Sequence, residues 1–170
     1  DVNTHLIGAY NVKNALAAIA VGLRFDVPAE AICEALSGYV PSNNRSQLTE
    51  TADNRLIVDA YNANPTSMMA ALENFRLMEV QNKVAVLGDM KELGEGSVDE
   101  HRKIVDFLST CGFERIILVG AEFGQANAGF EHYPDVEAVK QLFATDKPLG
   151  KYILIKGSNS MKLAQLKEIL

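Results

Sequence analysis

Four short apolar runs, each followed at once by polar or glycine-containing residues, constrain this chain more than any other feature. They are Leu56-Ile57-Val58, Val84-Ala85-Val86-Leu87, Ile116-Ile117-Leu118-Val119 and Tyr152-Ile153-Leu154-Ile155. Runs of this length, rich in β-branched residues and free of polar alternation, suit strands covered on both faces. Between them lie helical patterns, predicted over Pro65–Val80, Val98–Cys111, Asp135–Phe143 and Met161–Leu170. Strands alternating with helices predict an α/β fold: a Rossmann-like, mostly parallel sheet with helices on both faces. Gln47–Glu50 and Leu56–Ala60, joined by a polar turn through Asp53-Asn54, predict an antiparallel hairpin at its start.

Ahead of the hairpin the pattern differs. Val12, Ala15, Leu16, Ile19 and Leu23 recur at helical spacing, predicting a helix over Asn11–Phe25. A second helix is predicted over Pro28–Leu36, with proline in its first turn and Gly38 after its end. The stretch from Tyr39 to Arg45 is turn-rich and reads as a linker. The expected boundary therefore lies near Asn44, dividing residues 1–44 from residues 45–170. The apolar faces of the first two helices should pack on the α/β part or remain mobile.

Composition narrows the function classes. A net charge of −6 argues against a general nucleic-acid binder, which normally carries a basic face. No apolar run approaches the ~18 residues of a membrane span. Cys33 and Cys111 stand far apart, with no C-x-x-C pair and no His/Cys cluster, and read as buried or partly buried free thiols. There is no G-x-x-x-x-G-K-[ST] phosphate loop, and Gly94-x-Gly96 lacks the third glycine of a dinucleotide fingerprint. No Ser/His/Asp nucleophile set and no carboxylate cluster with a divalent-metal pattern can be argued, so no metal ligand is assigned.

In an open α/β sheet, ligands bind beyond the carboxyl ends of the strands. Asp59, after the first run, suits ribose hydroxyls, although a turn or cap aspartate is the simpler reading of its position. Tyr61, Asn62, Asn64, Thr66 and Ser67 follow on a turn that opens a helix, where capping alone explains the asparagines and hydroxyls. Gly88-Asp89-Met90-Lys91-Glu92 reads as a solvated loop whose length leans toward function. His101, early in the next helix, reads as a surface or helix-terminal residue. Lys156-Gly157-Ser158-Asn159-Ser160 leads into the last predicted helix, a place suited to a carboxylate or phosphate. Arg45, in the linker, has the reach to meet a phosphate presented by another domain, although most linker arginines are simply solvated.

Taken in order, these motifs resemble the Mur ligase family. Gly8-Ala9-Tyr10-Asn11-Val12-Lys13-Asn14 is similar to the G-x-H-N-x-x-N segment of that family's central ATPase domain, with Tyr10 where histidine is usual. Asp59-Ala60-Tyr61-Asn62-Ala63-Asn64, the Gly88–Gly94 run with His101, and Lys156-Gly157-Ser158-Asn159-Ser160 resemble the branch that adds D-alanyl-D-alanine, with Asn159 where arginine is common.

The resemblance implies that residues 1–44 are a helical remnant of the central ATP-binding domain. It makes 45–170 the C-terminal domain of a three-domain, cytoplasmic, monomeric bacterial enzyme of peptidoglycan synthesis. It implies ATP and Mg2+ as cofactors, held mainly by the central domain, and UDP-N-acetylmuramoyl-tripeptide and D-alanyl-D-alanine as substrates. The tripeptide carboxylate becomes an acyl phosphate, and the dipeptide amine attacks it to form an amide. By the same resemblance Asn11 and Asn14 lie near adenine, Arg45 reaches the γ-phosphate and Asp59 contacts the ribose. Tyr61, Asn62 and Asn64 line the inter-domain cleft, while Lys156, Ser158 and Asn159 hold the dipeptide. Arg45 and Lys156 are the expected catalytic residues. Residues 1–170 alone are expected to lack ligase activity. The alternatives are a sister Mur or folylpolyglutamate-type ligase, and a non-catalytic α/β binding module.

Overall fold

The computed structural model describes residues 2–6, 10–40 and 47–170. Two helices, α1 (Tyr10–Arg24) and α2 (Ala29–Gly38), precede a six-stranded sheet. The strands are β1 (Gln47–Glu50), β2 (Arg55–Asp59), β3 (Lys83–Gly88), β4 (Arg115–Val119), β5 (Glu131–Tyr133) and β6 (Tyr152–Lys156), in the spatial order β1-β2-β6-β3-β4-β5. The β1–β2 pair is antiparallel and every other pair is parallel. This is the expected α/β sheet with its opening hairpin.

The apolar runs behave as their composition requires. In β3, all residues from Val84 to Gly88 are buried, because side chains alternate between two covered faces. Ala85, Leu87, Ile57, Ile116, Leu118 and Leu154 point to one face, under α3 (Pro65–Leu77), α4 (Ser97–Leu108) and α5 (Ala121–Ala126). Val84, Val86, Leu56, Val58, Ile117, Val119, Ile153 and Ile155 point to the other, under α6 (Val136–Thr145) and the C-terminal segment. Each fully buried side chain of this size contributes roughly 1.5–3 kcal/mol relative to exposure.

Three elements depart from the sequence pattern. The C-terminal segment is two 3-10 turns, Asn159–Met161 and Leu163–Glu168, rather than an α-helix. Lys162 sits between them in the left-handed region (φ 56°), where a continuous α-helix cannot pass. Leu163 and Leu166, both fully buried, are three apart and share a face in either helix type, so spacing could not separate the two. Helix α5 is too short for periodicity to show, and β5 is a polar three-residue edge strand. Arg115 fastens β5 to β4 by donating to both carboxylate oxygens of Glu131, at 2.7 and 2.9 Å.

The carboxyl edge of the sheet is tightly built. Gly120 has φ +113°, and a Cβ there would lie 2.4 Å from the carboxylate of Asp89. Gly157 approaches the backbone of Gly88 so closely that a Cβ would stand 3.0 Å from its Cα.

The helix pair is packed differently. Asn11, Ala15, Ile19 and Gly22 of α1 turn partly inward, and Ile32 of α2 is buried. Val12, Leu16, Val21, Leu23 and Phe25 remain between 55% and 75% exposed. The apolar stripe of α1 thus splits into a covered side and an uncovered one. Cys111 is half-buried, as expected, but Cys33 is exposed. Cys33 follows the inward Ile32, and adjacent helical residues do not share a face.

Replacing Gly120 by Ala combines a left-handed-region penalty with a steric clash, and should cost at least about 2 kcal/mol in urea unfolding. Gly38→Ala, where a Cβ meets nothing within 4 Å, should change stability by no more than about 1 kcal/mol, and upward if at all. Burial raises the pKa of the Cys111 thiol and so lowers its thiolate fraction, and the thiol donates to the Phe107 carbonyl at 3.4 Å. In a time course with iodoacetamide at mildly alkaline pH, peptide mapping should find Cys33 alkylated well before Cys111.

Candidate functional site

Residue Asp59 ends β2 and Lys156 ends β6, and the two are register partners in the parallel pair. Side-chain alternation puts both on the α3 face. From β2 the chain leaves to that face through α3, whereas from β6 it leaves to the opposite face through the 3-10 turns. Connections that diverge in this way open a crevice at the strand ends. There the Lys156 ammonium donates to Asp59 Oδ2 at 2.5 Å and to the Asn62 carbonyl at 3.4 Å. The lysine side chain is 1% exposed and that of Asp59 17%. A buried ammonium must be paired and hydrogen-bonded to be tolerated, and both conditions are met on the cleft side.

The cleft has a volume of about 1370 Å³ and lies between the helix pair and the carboxyl edge of the sheet. Ala15, Ala18, Ala31, Ile32, Ala35 and Leu36 form its apolar wall. Asn11, Asn14, Asp59, Tyr61, Asn62, Asn64 and Lys156 line the polar side. Seven of the ten residues to which the resemblance gives site roles therefore share one cavity. Asn14 Nδ2 donates to Asn11 Oδ1 at 2.9 Å, so the two amides sit as a pair one helical turn apart.

Capping explains part of this motif. Asn64 is the N-cap of α3: its Oδ1 accepts from the Ser67 amide at 2.8 Å, and its own amide donates to Ser67 Oγ at 3.2 Å. Pro65 at the first helical position completes the signal. The Asn62 side chain accepts from the Ala63 amide at 2.9 Å. Asn64 thus shapes the rim by folding it.

The remaining candidates lie elsewhere. Arg45 is outside the described residues. Ser158 is 5% exposed, and its hydroxyl accepts from the Lys91 amide at 2.9 Å. Asn159 is exposed and opens a three-residue 3-10 turn, which removes the full helix N-terminus expected after Lys156. Neither Ser158 nor Asn159 lines the cleft.

Two sequence readings are corrected. The Gly88–Glu92 segment is not a solvated loop at its start, because Asp89 and Met90 are 0% exposed. Asp89 Oδ1 accepts from the Phe123 amide at 2.9 Å and Oδ2 from the Glu122 amide at 3.2 Å and from Lys91 Nζ at 2.9 Å. His101 is likewise fully buried, its ring edge-on to Phe123 with centroids 4.6 Å apart. The partners of Asp89 on α5 are 33 and 34 residues away in sequence, so no local pattern announces its burial. Sequence reasoning also passed over Glu100, which lines the cleft and pairs with Lys103 at 2.5 Å. The small-residue row Ala15, Ala18, Gly22 was a usable signal for the cleft wall, since such rows leave room beside a helix.

Among the described residues, no group of three or more His, Cys, Asp or Glu side chains could hold a metal ion, and no helix is long and apolar enough to cross a membrane.

A doubly covered, mostly parallel sheet with a charged pair at its switch point, facing a cleft walled by a separate helix pair, defines an α/β domain with a candidate ligand cleft at the carboxyl edge of its sheet. Residues 44–159 match the family described as "Mur ligase, glutamate ligase domain", and the chain belongs to that family. It is 34% identical over 172 residues to the UDP-N-acetylmuramoyl-tripeptide--D-alanyl-D-alanine ligase of Bacillus subtilis, covering 95% of this chain and 38% of that protein. Crystal structure II of MurF from Acinetobacter baumannii superposes with a TM-score of 0.84 at 31% identity, over 98% of this chain and 39% of that one. The MurF ligase of Thermotoga maritima in complex with ADP shares the fold, with a TM-score of 0.81 at 21% identity over 96% and 38% of the two chains. The chain thus spans well under half the length of these relatives.

Asp59→Ala leaves the Lys156 ammonium buried without its counter-ion and should cost about 3–5 kcal/mol in chemical denaturation. Lys156→Met removes the buried charge itself and keeps the stem volume, leaving a carboxylate that is partly open to water. It should cost clearly less than Asp59→Ala in the same assay.

Proposed function

We propose that this chain is the C-terminal part of an ATP-dependent ligase that joins D-alanyl-D-alanine to UDP-N-acetylmuramoyl-tripeptide in peptidoglycan synthesis. The observation that carries the reading is the Lys156–Asp59 pair, buried at the strand ends and facing a cleft that also gathers Asn11, Asn14, Tyr61, Asn62 and Asn64. The names of the similar proteins from Bacillus and Acinetobacter support the same assignment.

The residues present suit a nucleotide on this side of the cleft. The wall of small and branched apolar side chains accepts a flat ring. Asn11 and Asn14 offer amide donors and acceptors beside it, and the Asp59 carboxylate suits ribose hydroxyls. The Thermotoga relative of the same fold holds ADP. In this reading ATP supplies the phosphoryl group that activates the tripeptide carboxylate, and Mg2+ is assigned to the central domain.

This chain's own contributions are positional and electrostatic. Arg45, in the linker, meets the transferring phosphoryl when the domains close, completing the site only in the closed state. Lys156 supplies positive charge where the acyl phosphate and the dipeptide carboxylate accumulate negative charge. Tyr61, Asn62 and Asn64 bound the space between, Asn159 meets the dipeptide from outside the cleft, and Ser158 acts through the loop it fastens. Residues 1–44 belong to the central domain, and the exposed Val12, Leu16, Leu23 and Phe25 support this because a patch of that kind is normally covered. A cytoplasmic location, where ATP is supplied, and a monomeric state belong to the same proposal. A sister ligase or a folylpolyglutamate-type enzyme is disfavoured by the Tyr61-Asn62-Ala63-Asn64 and Gly88-Asp89-Met90 runs. A non-catalytic module is disfavoured by the pairing of Asp59 with Lys156.

The test is phosphate release by the full-length parent with ATP, UDP-N-acetylmuramoyl-tripeptide and D-alanyl-D-alanine, against D-alanine and D-glutamate. Release should require the dipeptide, and Arg45→Ala should lower kcat by about 10³ or more. Release with a single amino acid instead would remove the substrate assignment and leave the family standing.

A further inference from the structure

The fully buried Asp89 and His101 are ionisable side chains that touch neither the cleft nor any group assigned a chemical role above. Their contacts form a connected path. The Met90 amide donates to His101 Nε2 at 3.0 Å. An amide N–H only donates, so Nε2 is the acceptor and the ring proton sits on Nδ1, which faces the Ser97 carbonyl at 2.7 Å. His101 therefore ties the residue after Asp89 to the first turn of α4. The Asp89 carboxylate ties the same point to the start of α5. Its backbone amide donates to the Val119 carbonyl of β4 at 3.0 Å, and its backbone carbonyl accepts from the Ser158 amide at 3.1 Å. The Lys91 amide closes the loop on Ser158 Oγ. Two residues before Ser158 stands Lys156, and between them Gly157 lies against Gly88 with no room for a side chain.

We propose that Asp89 and His101 are positioning residues: with Ser158 they form a brace that clamps the chain leaving β6 to the chain leaving β3, and so fixes where the Lys156 ammonium stands on Asp59. The proposal rests on the ligase reading for the consequence of that placement, but not for the brace itself. Lys156 has a long, rotatable stem, and its strand ends at the residue that carries the charge. The backbone beyond the strand end must be held if the ammonium is to stay in one place. Misplacement of a charged group by about 1 Å can cost on the order of 10²-fold in rate.

The experiment uses the full-length parent with His101→Leu, which removes the acceptor for Met90, and His101→Gln, whose amide oxygen can replace it. Two quantities are read at a temperature far below unfolding: acetylation of Lys156 by a succinimidyl acetate reagent, detected by peptide mass spectrometry, and steady-state ligation. In His101→Leu, Lys156 labelling should rise about tenfold or more while amide exchange in β3 and β4 stays unchanged, as expected for a local opening. At the same time kcat should fall roughly 10- to 100-fold, and His101→Gln should recover most of both. Should His101→Leu fail to fold, Ser158→Ala, which removes only the acceptor of the Lys91 amide, should raise Lys156 labelling in the same sense. Labelling within about twofold of the unmodified protein in a folded variant, or a rise matched by equal loosening throughout the sheet, overturns the brace. A parent without ligase activity overturns the functional reading instead, and the labelling result then decides the brace alone.

Discussion

A single carboxylate organises the carboxyl edge of the sheet, where Asp59 and Lys156 also stand. Asp89 comes directly after β3 and is wholly withdrawn from water, yet its oxygens accept from two amides and an ammonium, and its backbone joins β4 on one side and the loop after β6 on the other. An ionised group can be buried only where such donors converge. The carboxylate's donors come from α5 and from Lys91, and the residue's backbone carbonyl accepts from the Ser158 amide, so satisfying one residue requires three connections to end in fixed places. Gly120 and Gly157 are the steric consequence, because the backbone must pass closer to its neighbours than any side chain allows.

The Lys156–Asp59 pair shows the same physics turned toward the cleft. The lysine is buried almost entirely while its carboxylate partner keeps a small opening to the cleft. In the proposed ligase reading that asymmetry matters chemically. A charge held in place before the substrate arrives needs no reorganisation when negative charge develops nearby, and partial exclusion of water strengthens its effect. The two residues are register partners in a parallel ladder, so the spacing of their backbones is set by the strand pairing. The groups around them, by contrast, come from a helix start and a separate helix pair.

Much of the fold was legible because burial leaves a period in the sequence. The runs at Val84–Leu87 and Ile116–Val119, short and set between helical patterns, suited strands covered on both faces, and the Asn64-Pro65-Thr66-Ser67 signal marked the start of α3 at the residue where the helix begins. The elements that escaped had no period to read. Helix α5 has six residues and takes its N-terminal partner from Asp89, far away in the chain; β5 is polar because it is an edge; and Leu163 and Leu166 satisfy 3-10 and α geometry alike. The site divides along the same line. Asp59 and Lys156 were found because each stands where an apolar run stops. Asp89 was read as exposed because charged residues in a loop usually are, and His101 as a surface or helix-terminal residue because it stands early in a helix.

Short-range pattern was therefore enough to settle the layered sheet, its hairpin, the family and the residues that stand at the strand ends, since each of these is written in local periodicity or in a motif of a few residues. Which of those residues meet was settled only when the chain folded. The order β2-β6-β3 brings Asp59 to Lys156 across 97 positions of chain. The same packing buries Asp89 and His101 and diverts Ser158 from the cleft to the Lys91 amide. A polar group's fate depends on which donors and acceptors surround it once water is gone, and those partners are chosen by the crossing of distant segments.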